Sequence, residues 1–259
     1  MAARWSMGDG GHGSIHIGTS GWVYPHWKGI FYPADCPQRS WLEYYARHFD
    51  TTEINASFYR LPTRAAVEKW QRMAGANSRF CPKISRYITH AKKLNDPEQG
   101  VPRFFDVFDI LGRQAGPVLI QLPAVLSFHE QKVRHFMQYL YSHYRRFRFS
   151  IEARRPDWTS SEAIALLKEY HLGWVIAESG ARFASAELVI ARHIYLRFHG
   201  PDGSYATSHS NKMLAACAAK CLQWRQVGHA VWVYFNNDLG GHAIHNAMTL
   251  KNMINKQSG

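Results

Sequence analysis

From Ile15 onward, short apolar or β-branched runs alternate with amphipathic stretches, and this alternation restricts the possible folds more than any other feature. It is typical of βαβ units, in which helices join parallel strands. Eight strand-then-helix units predict a (β/α)8 barrel of the TIM type rather than an open doubly wound sheet, and no GxGxxG or GxxxxGK[ST] motif is present. The predicted strands are Ile15–Thr19, Thr52–Phe58, Phe80–Ser85, Val118–Leu122, Phe147–Ala153, Gly173–Glu178, His193–His199 and Ala230–Asn236.

Two places in this pattern depart from a regular barrel. The connection between the sixth and seventh strands, residues 179–192, is near the minimum for a parallel crossover, so we expect its helix to be reduced or missing. Pro82 cannot donate to a strand ladder, so we expect a bulge in the third strand. Helix starts elsewhere are predicted from capping boxes, which pair Ser40 with Glu43, Ser127 with Glu130 and Thr159 with Glu162.

Length and composition favour one domain. A chain of 259 residues, 46% of them hydrophobic, can build one large core. We expect a single barrel domain over residues 15–255 and a disordered or tag-like tail over residues 1–14, which lack the apolar core of a signal peptide. Four scattered cysteines and the lack of an apolar run long enough for a membrane span indicate a cytoplasmic protein without membrane partners. The oligomeric state stays open.

The charge of the chain favours anionic partners. Lysine and arginine number 31 against 19 aspartates and glutamates, a formal charge of +12. Such a field attracts phosphorylated ligands and nucleic acids. The stretch 143–149 interleaves cations with aromatic rings, as nucleic-acid-binding surfaces do, although a solvated helix end has the same composition.

Polar residues gather at the predicted carboxyl ends of the strands. Residues two apart on a strand face the same way, so polar pairs at these ends point to one place. In a barrel that place is the mouth where active sites lie. The pairs are Glu53 with Asn55, Glu152 with Arg154, Arg197 with His199, and Asn236 with Asp238, and Lys83, Gln121 and Glu178 stand alone.

These residue types suit acid–base chemistry on an anion, although a structural ion-pair plug would have the same composition. A divalent metal ion such as Mg²⁺, Mn²⁺ or Zn²⁺ is a possible cofactor, but no local spacing typical of metal ligands supports it. The candidate catalytic residues are Glu53, Glu152, His199 and Asp238. The candidate substrate-binding residues are Thr19, Ser20, Asn55, Lys83, Gln121, Arg154, Arg197, Asn236 and Asn237.

Glycine-rich turns follow the seventh and eighth strands and contain Gly200, Gly203 and Gly240. Barrels commonly bind phosphate at this position through backbone N–H groups. We therefore expect a phosphate or sulfate near these turns, although ordinary turns use the same residues.

Several of these segments together resemble the YecE-like family, a barrel family of unknown function. The resemblance extends over residues 15–247 and implies a TIM-type barrel with the polar strand-end residues on motif positions, but it implies no reaction. The segments that carry it are IGTSGW at 17–22, TEINASFYR at 52–60, QLP at 121–123, IEAR at 151–154, YLRFHG at 195–200 and YFNND at 234–238.

Two functions of different classes follow. The first is an enzyme that binds an anionic or phosphorylated substrate at the mouth and hydrolyses a phosphoester, with or without a metal. The second is a nucleic-acid-binding module without catalysis. Glycoside hydrolysis is less favoured, because barrel glycosidases often place carboxylates on strands four and seven, where this chain has Gln121 and His199.

Overall fold

The computed structural model of the protein describes residues 13–180 and 186–258. Its strands form one parallel sheet in the order β3-β2-β1-β8-β7-β6-β5-β4. Two isolated parallel bridges, Phe80 to Ala115 and Lys83 to Leu119, join the outer strands and close the barrel. The predicted (β/α)8 barrel is confirmed. The strands are β1 Ile15–Thr19, β2 Thr51–Ile54, β3 Arg79–Pro82, β4 Val118–Gln121, β5 Phe149–Glu152, β6 Gly173–Glu178, β7 His193–Phe198 and β8 Ala230–Phe235.

The ladder beside Pro82 is irregular. The two closing bridges lie three residues apart on the β3 side but four residues apart on the β4 side. One extra residue on one strand is the signature of a bulge. Pro82 ends β3, and the ladder resumes with Ile84 N–H donating to Leu119 O at 2.9 Å.

Helices follow most strands on the outside of the barrel. Between β6 and β7, the described residues 179–180 and 186–192 contain no helix, as predicted. Residues 1–12 of the predicted tail lie outside the described residues, whereas Gly13 N–H donates to Arg225 O at 2.7 Å. The helices are α1 Trp41–Ala46, α2 Ala56–Tyr59, α3 Arg64–Ala74, α4 Pro97–Phe108, α5 Glu130–Tyr144, α6 Ser161–Glu169, α7 Asn211–Gln226 and α8 His242–Ser258.

No helix within the described ranges combines the length and the apolar character that crossing a bilayer requires.

The interior of the barrel changes from apolar to polar along its axis. A small apolar cluster fills its middle and consists of Cys81, Leu119, Val175, Tyr195, Trp232 and Tyr234. Because side chains on a strand alternate, the residue two positions further on also faces inward. At that next level the chain places Lys83 after Cys81, Gln121 after Leu119, Arg197 after Tyr195 and Asn236 after Tyr234. The carboxyl end of the barrel interior is therefore polar, whereas its middle is apolar.

The predicted capping boxes do not form. Ser40 precedes α1 but its side chain makes no capping bond, and His129 rather than Ser127 precedes α5. At α6 the cap lies one residue later than predicted, because the Ser160 side chain accepts from the Ala163 N–H. The Thr159 hydroxyl instead donates to Pro156 O at 2.7 Å, which closes the preceding 3-10 turn.

We expect Ser160→Ala to lower the free energy of unfolding by about 1 kcal/mol, because it removes the side-chain acceptor of the Ala163 N–H in the first turn of α6. Thr159→Ala is the matched control and should cost less, since its hydroxyl caps no helix donor. Urea unfolding of both variants checks this. Equal losses would show that α6 begins where the sequence pattern placed it.

Candidate active site at the carboxyl end of the barrel

A fully buried arginine occupies the centre of the mouth. Arg197 has 0% exposure and joins two carboxylates from other strands. Its Nε donates to Glu53 Oε1 at 2.8 Å and its Nη2 to Glu53 Oε2 at 3.1 Å, a bidentate pair. Its Nη1 donates to Glu152 Oε2 at 2.6 Å. Both carboxylates raise the pKa of Arg197 against the effect of burial, so the guanidinium stays charged.

Glu53 is fully engaged by protein groups. Besides Arg197, its Oε1 accepts from the Tyr195 hydroxyl at 2.8 Å and its Oε2 from the Ser20 hydroxyl. Each carboxylate oxygen therefore has two donors. Sequence reasoning missed Tyr195, although it lies two residues before Arg197 and so faces the same way. Such a carboxylate is suited to holding Arg197 in place rather than to taking a proton.

Glu152 is surrounded by positive charge. Gln121 Nε2 donates to its Oε1 at 2.8 Å, and Arg154 Nη2 lies 3.7 Å from the same oxygen. The pKa of Glu152 lies well below its usual range, because Arg197, Arg154 and Lys83 outweigh the effect of burial. Glu152 is ionised at neutral pH.

Lys83 is a buried cation beside an aromatic ring. It is 7% exposed, and its Nζ lies 4.1 Å from the centre of the Phe58 ring, a cation–π contact. Burial, and then the charge of Arg197, lower its pKa to about 8, so the ammonium is still mainly charged at pH 7. Phe58 was predicted at the end of a strand, but β2 ends at Ile54 and Phe58 lies on α2.

His199 is a neutral imidazole held in place from one side. Its Nδ1 lies 3.1 Å from Asn236 Nδ2, so with this amide orientation Nδ1 accepts and Nε2 carries the proton. Nε2 is buried without a hydrogen-bond partner, 3.8 Å from Glu152 Oε1. Burial and the nearby Arg197 lower the pKa of His199 to about 3.

Asp238 and Asn55 lie at the rim of the mouth. The Asp238 backbone carbonyl accepts from Trp27 Nε1 at 2.9 Å, and its carboxylate lies 3.6 Å from His26 Nε2. Burial raises the pKa of Asp238, whose side chain keeps 23% exposure. Asn55 Nδ2 donates to Ser20 O at 2.9 Å.

Two candidate residues do not join this cluster. The Thr19 hydroxyl bonds to Tyr45 of α1 at 2.9 Å, on the helix side of β1. Asn237 Nδ2 donates to Asn246 of α8 at 2.9 Å and to Thr207 O at 2.8 Å, so it fixes the loop after β7 to the outer helix layer. Thr19 and Asn237 each lie next to a residue that faces into the barrel. Because side chains alternate along a strand, these two point outward.

The glycine turn after β7 directs its donors to its own carboxylate. Asp202 Oδ1 accepts from Ser204 N–H at 2.9 Å, from the Ser204 hydroxyl and from the Thr207 hydroxyl at 2.7 Å. These bonds lower the pKa of Asp202 to about 2. The donors that a phosphate would need in this turn already bind the Asp202 carboxylate. The cations around Glu152 are therefore better placed to bind a phosphate.

No three His, Cys, Asp or Glu side chains among the described residues are grouped closely enough to hold a metal ion. Glu53 and Glu152 illustrate the reason, because their oxygens accept from Arg197 and other protein donors. The donor set of these two carboxylates therefore does not favour the divalent metal ion that the sequence left open as a cofactor.

The basic and aromatic stretch 143–149 does not present its phenylalanine and tyrosine rings freely to solvent. Phe147 and Phe149 are buried, and Tyr144 stacks on Phe105 with ring centres 4.0 Å apart. These rings are not available for stacking on nucleic-acid bases.

Comparisons with known proteins agree with the fold. A sequence model of a family described as "Protein of unknown function DUF72" matches residues 16–259. UPF0759 protein YecE of Escherichia coli K12 is 30% identical over 145 residues, which are 56% of this chain and only 50% of that protein. UPF0759 protein YunF of Bacillus subtilis is 22% identical and covers 93% of this chain and 94% of its own. The crystal structure of a DUF72 family protein from Thermotoga maritima superposes with a TM-score of 0.84 at 23% identity, over 93% of this chain and 99% of its own.

We expect Glu53→Gln to lower the free energy of unfolding by about 3 to 5 kcal/mol, because it leaves a buried guanidinium with one carboxylate fewer. The matched control is Glu43→Gln, which breaks an exposed pair with Arg47 and should change stability by about 0.5 kcal/mol or less. Urea unfolding at neutral pH measures both. Similar losses in the two variants would mean that the Arg197 cluster does not support the barrel.

Proposed function

On the premise that the chain belongs to the DUF72 family and shares its barrel, we propose that the mouth binds a small substrate bearing a phosphate group and hydrolyses the phosphoester. The resemblance to YecE-like proteins is confirmed by the family match and by the relatives. Neither the family description nor the names of the relatives assign a reaction, so the proposal depends on the chemistry of the mouth.

The support comes from an excess of positive charge around Glu152. Glu53 and Arg197 neutralise each other through two hydrogen bonds. Arg154 and Lys83 also act on Glu152, so among these described residues three cations stand against two carboxylates. Inside a barrel mouth, where the effective dielectric constant is lower than in water, such an excess attracts an anion strongly.

The cations differ in their access to a ligand. Arg197 is fully buried and holds two carboxylates, so its role is to position Glu152 rather than to touch the substrate. The Arg154 side chain keeps 21% exposure, and its Nη2 lies 3.7 Å from Glu152 Oε1. Arg154 therefore contacts the phosphate directly, and Lys83 contributes its charge from the wall of the mouth.

Two groups assist hydrolysis. Attack of water on phosphorus forms one P–O bond and breaks another, so the water loses a proton and the leaving oxygen gains one. Asp238, partly exposed and not engaged by Arg197, accepts the proton of the attacking water. The neutral His199 donates a hydrogen bond from Nε2–H to the leaving oxygen, with Asn236 keeping the ring in place, and the leaving oxygen takes its proton from solvent, to which Asp238 returns the one it accepted.

We expect Arg154→Gln to weaken phosphate binding about tenfold or more, because a charge-assisted hydrogen bond to the anion is lost. Isothermal titration with inorganic phosphate at low ionic strength measures the dissociation constant. Arg155→Gln is the matched control, because Arg155 is the next residue along the chain but is exposed and pairs with Asp157. Equal weakening in both variants would indicate general attraction by surface charge and would contradict a phosphate site at the mouth.

We expect His199→Gln to reduce turnover of a phosphoester about a hundredfold or more while leaving phosphate affinity nearly unchanged. The substrates are a panel of small phosphomonoesters and phosphodiesters, each assayed without metal and with Mg²⁺, Mn²⁺ or Zn²⁺. Phosphate binding at the mouth without hydrolysis of any substrate would reject the reaction and keep the binding site. Turnover unaffected in His199→Gln would reject the role of this histidine.

A further inference from the structure

The loop after β3 brings a second histidine to the mouth. Tyr87–Ala91 form a single turn of π-helix, which is rare and is found frequently at functional sites. Within it, Thr89 is fully buried and its hydroxyl lies 2.9 Å from His90 Nδ1, which fixes one side of the ring. The opposite nitrogen, Nε2, is then the atom available to a ligand.

The segment that follows the π-turn is held in an unusual conformation. Lys93, Leu94 and Asp96 all have positive φ angles, of 49°, 68° and 48°, although none is glycine. Residues with side chains avoid this region, so the surrounding structure must impose it. Leu94 is fully buried and anchors the segment. The segment that follows the π-turn is thus anchored, and the position of His90 does not depend on a loose loop.

Phe58 connects His90 to the cations of the mouth. The His90 ring packs edge-to-face on Phe58, with ring centres 5.0 Å apart and an angle of 83°. The Lys83 ammonium lies over the same Phe58 ring, 4.1 Å from its centre. His90 and Lys83 therefore contact the same aromatic side chain. This places His90 on the same wall of the mouth as Lys83.

The charged groups that act on His90 are all cations. They come from three places: Lys83 just after β3, Arg86 on the residues leading into the π-turn, and Arg154 just after β5. Burial first, and then these charges, lower the pKa of His90, so the ring is neutral at neutral pH. A histidine among cations gains little from protonation unless an anion is present.

We propose that His90 is a further contact for the bound phosphate group and takes up a proton as the anion binds, so that affinity rises as the pH falls. This inference rests on the proposed anion site and adds one residue and a proton linkage to it. The anion offsets the repulsion from Lys83, Arg86 and Arg154, and the protonated ring then donates a charge-assisted hydrogen bond through Nε2.

Sulfate is the suitable probe, because its charge does not change over the pH range of interest and the pH dependence then reports the protein alone. We would titrate the full chain with sulfate from about pH 5 to about pH 6.5, below the range in which Lys83 loses its proton. Titration in two buffers of different ionisation enthalpy counts the protons taken up on binding. The variants are His90→Gln, His90→Lys and the control His135→Gln, an exposed histidine of α5.

The proposal requires that the parent and His135→Gln bind sulfate about tenfold more tightly at the acid end of the range, with net proton uptake. His90→Gln should lose both the acid strengthening and most of the uptake. His90→Lys should bind with little pH dependence, because its charge is permanent. Thermal melts of the variants close to that of the parent confirm that each one folds.

Three outcomes would overturn the inference in distinguishable ways. Sulfate binding and proton uptake in His90→Gln equal to those of the parent would remove His90 from the site and leave the anion site standing. No sulfate binding by the parent at any pH would reject the anion site and the role of His90 together. Proton uptake that persists in His90→Gln would assign the linkage to another group of the mouth, His199 in the first place, and would also contradict the proposal.

Discussion

The organisation of the mouth depends on the burial of Arg197 between Glu53 and Glu152. Taking a guanidinium and two carboxylates out of water costs several kcal/mol for each ion, and only well-aligned hydrogen bonds between them offset this desolvation cost. The three residues lie on or next to β7, β2 and β5, which are not neighbours in the sheet. They can meet only across the interior of a closed barrel, so closure of the sheet and neutralisation of these charges require each other.

This arrangement divides the polar cluster into two parts. Glu53, Tyr195 and Arg197 satisfy one another and sit directly above the apolar core, as a structural plug would. Arg154 and His199 instead lie nearest to Glu152 Oε1, the oxygen that Arg197 does not contact. The two interpretations of the strand-end residues, plug or functional site, therefore apply to different parts of the same cluster. The first part holds the position of Glu152, and the second part includes the partly exposed Arg154.

The alternation of side chains along strands predicted much of this cluster and also explains the residues that stayed outside it. Glu53, Glu152 and Arg197 were expected to converge, and their side chains do meet in the mouth. Thr19 and Asn237 each neighbour an inward-facing residue, so the same rule directs them to the helices. Loops were less predictable, because no periodic pattern describes them. Residues 56–59 form a helix instead of extending β2, and the turn after β7 binds its own Asp202.

The order of apolar and polar segments was sufficient to identify eight strands, their parallel arrangement and the end of the barrel at which polar groups gather. These properties depend on local periodicity and on the chemistry of parallel sheets, which a linear sequence contains. Which carboxylate remains accessible, how Phe58 joins His90 to Lys83, and which cations surround Glu152 depend on distances between residues far apart in the chain. Those distances follow from barrel closure, from the π-turn and from the packing of loops, because electrostatic energies change steeply with separation and burial.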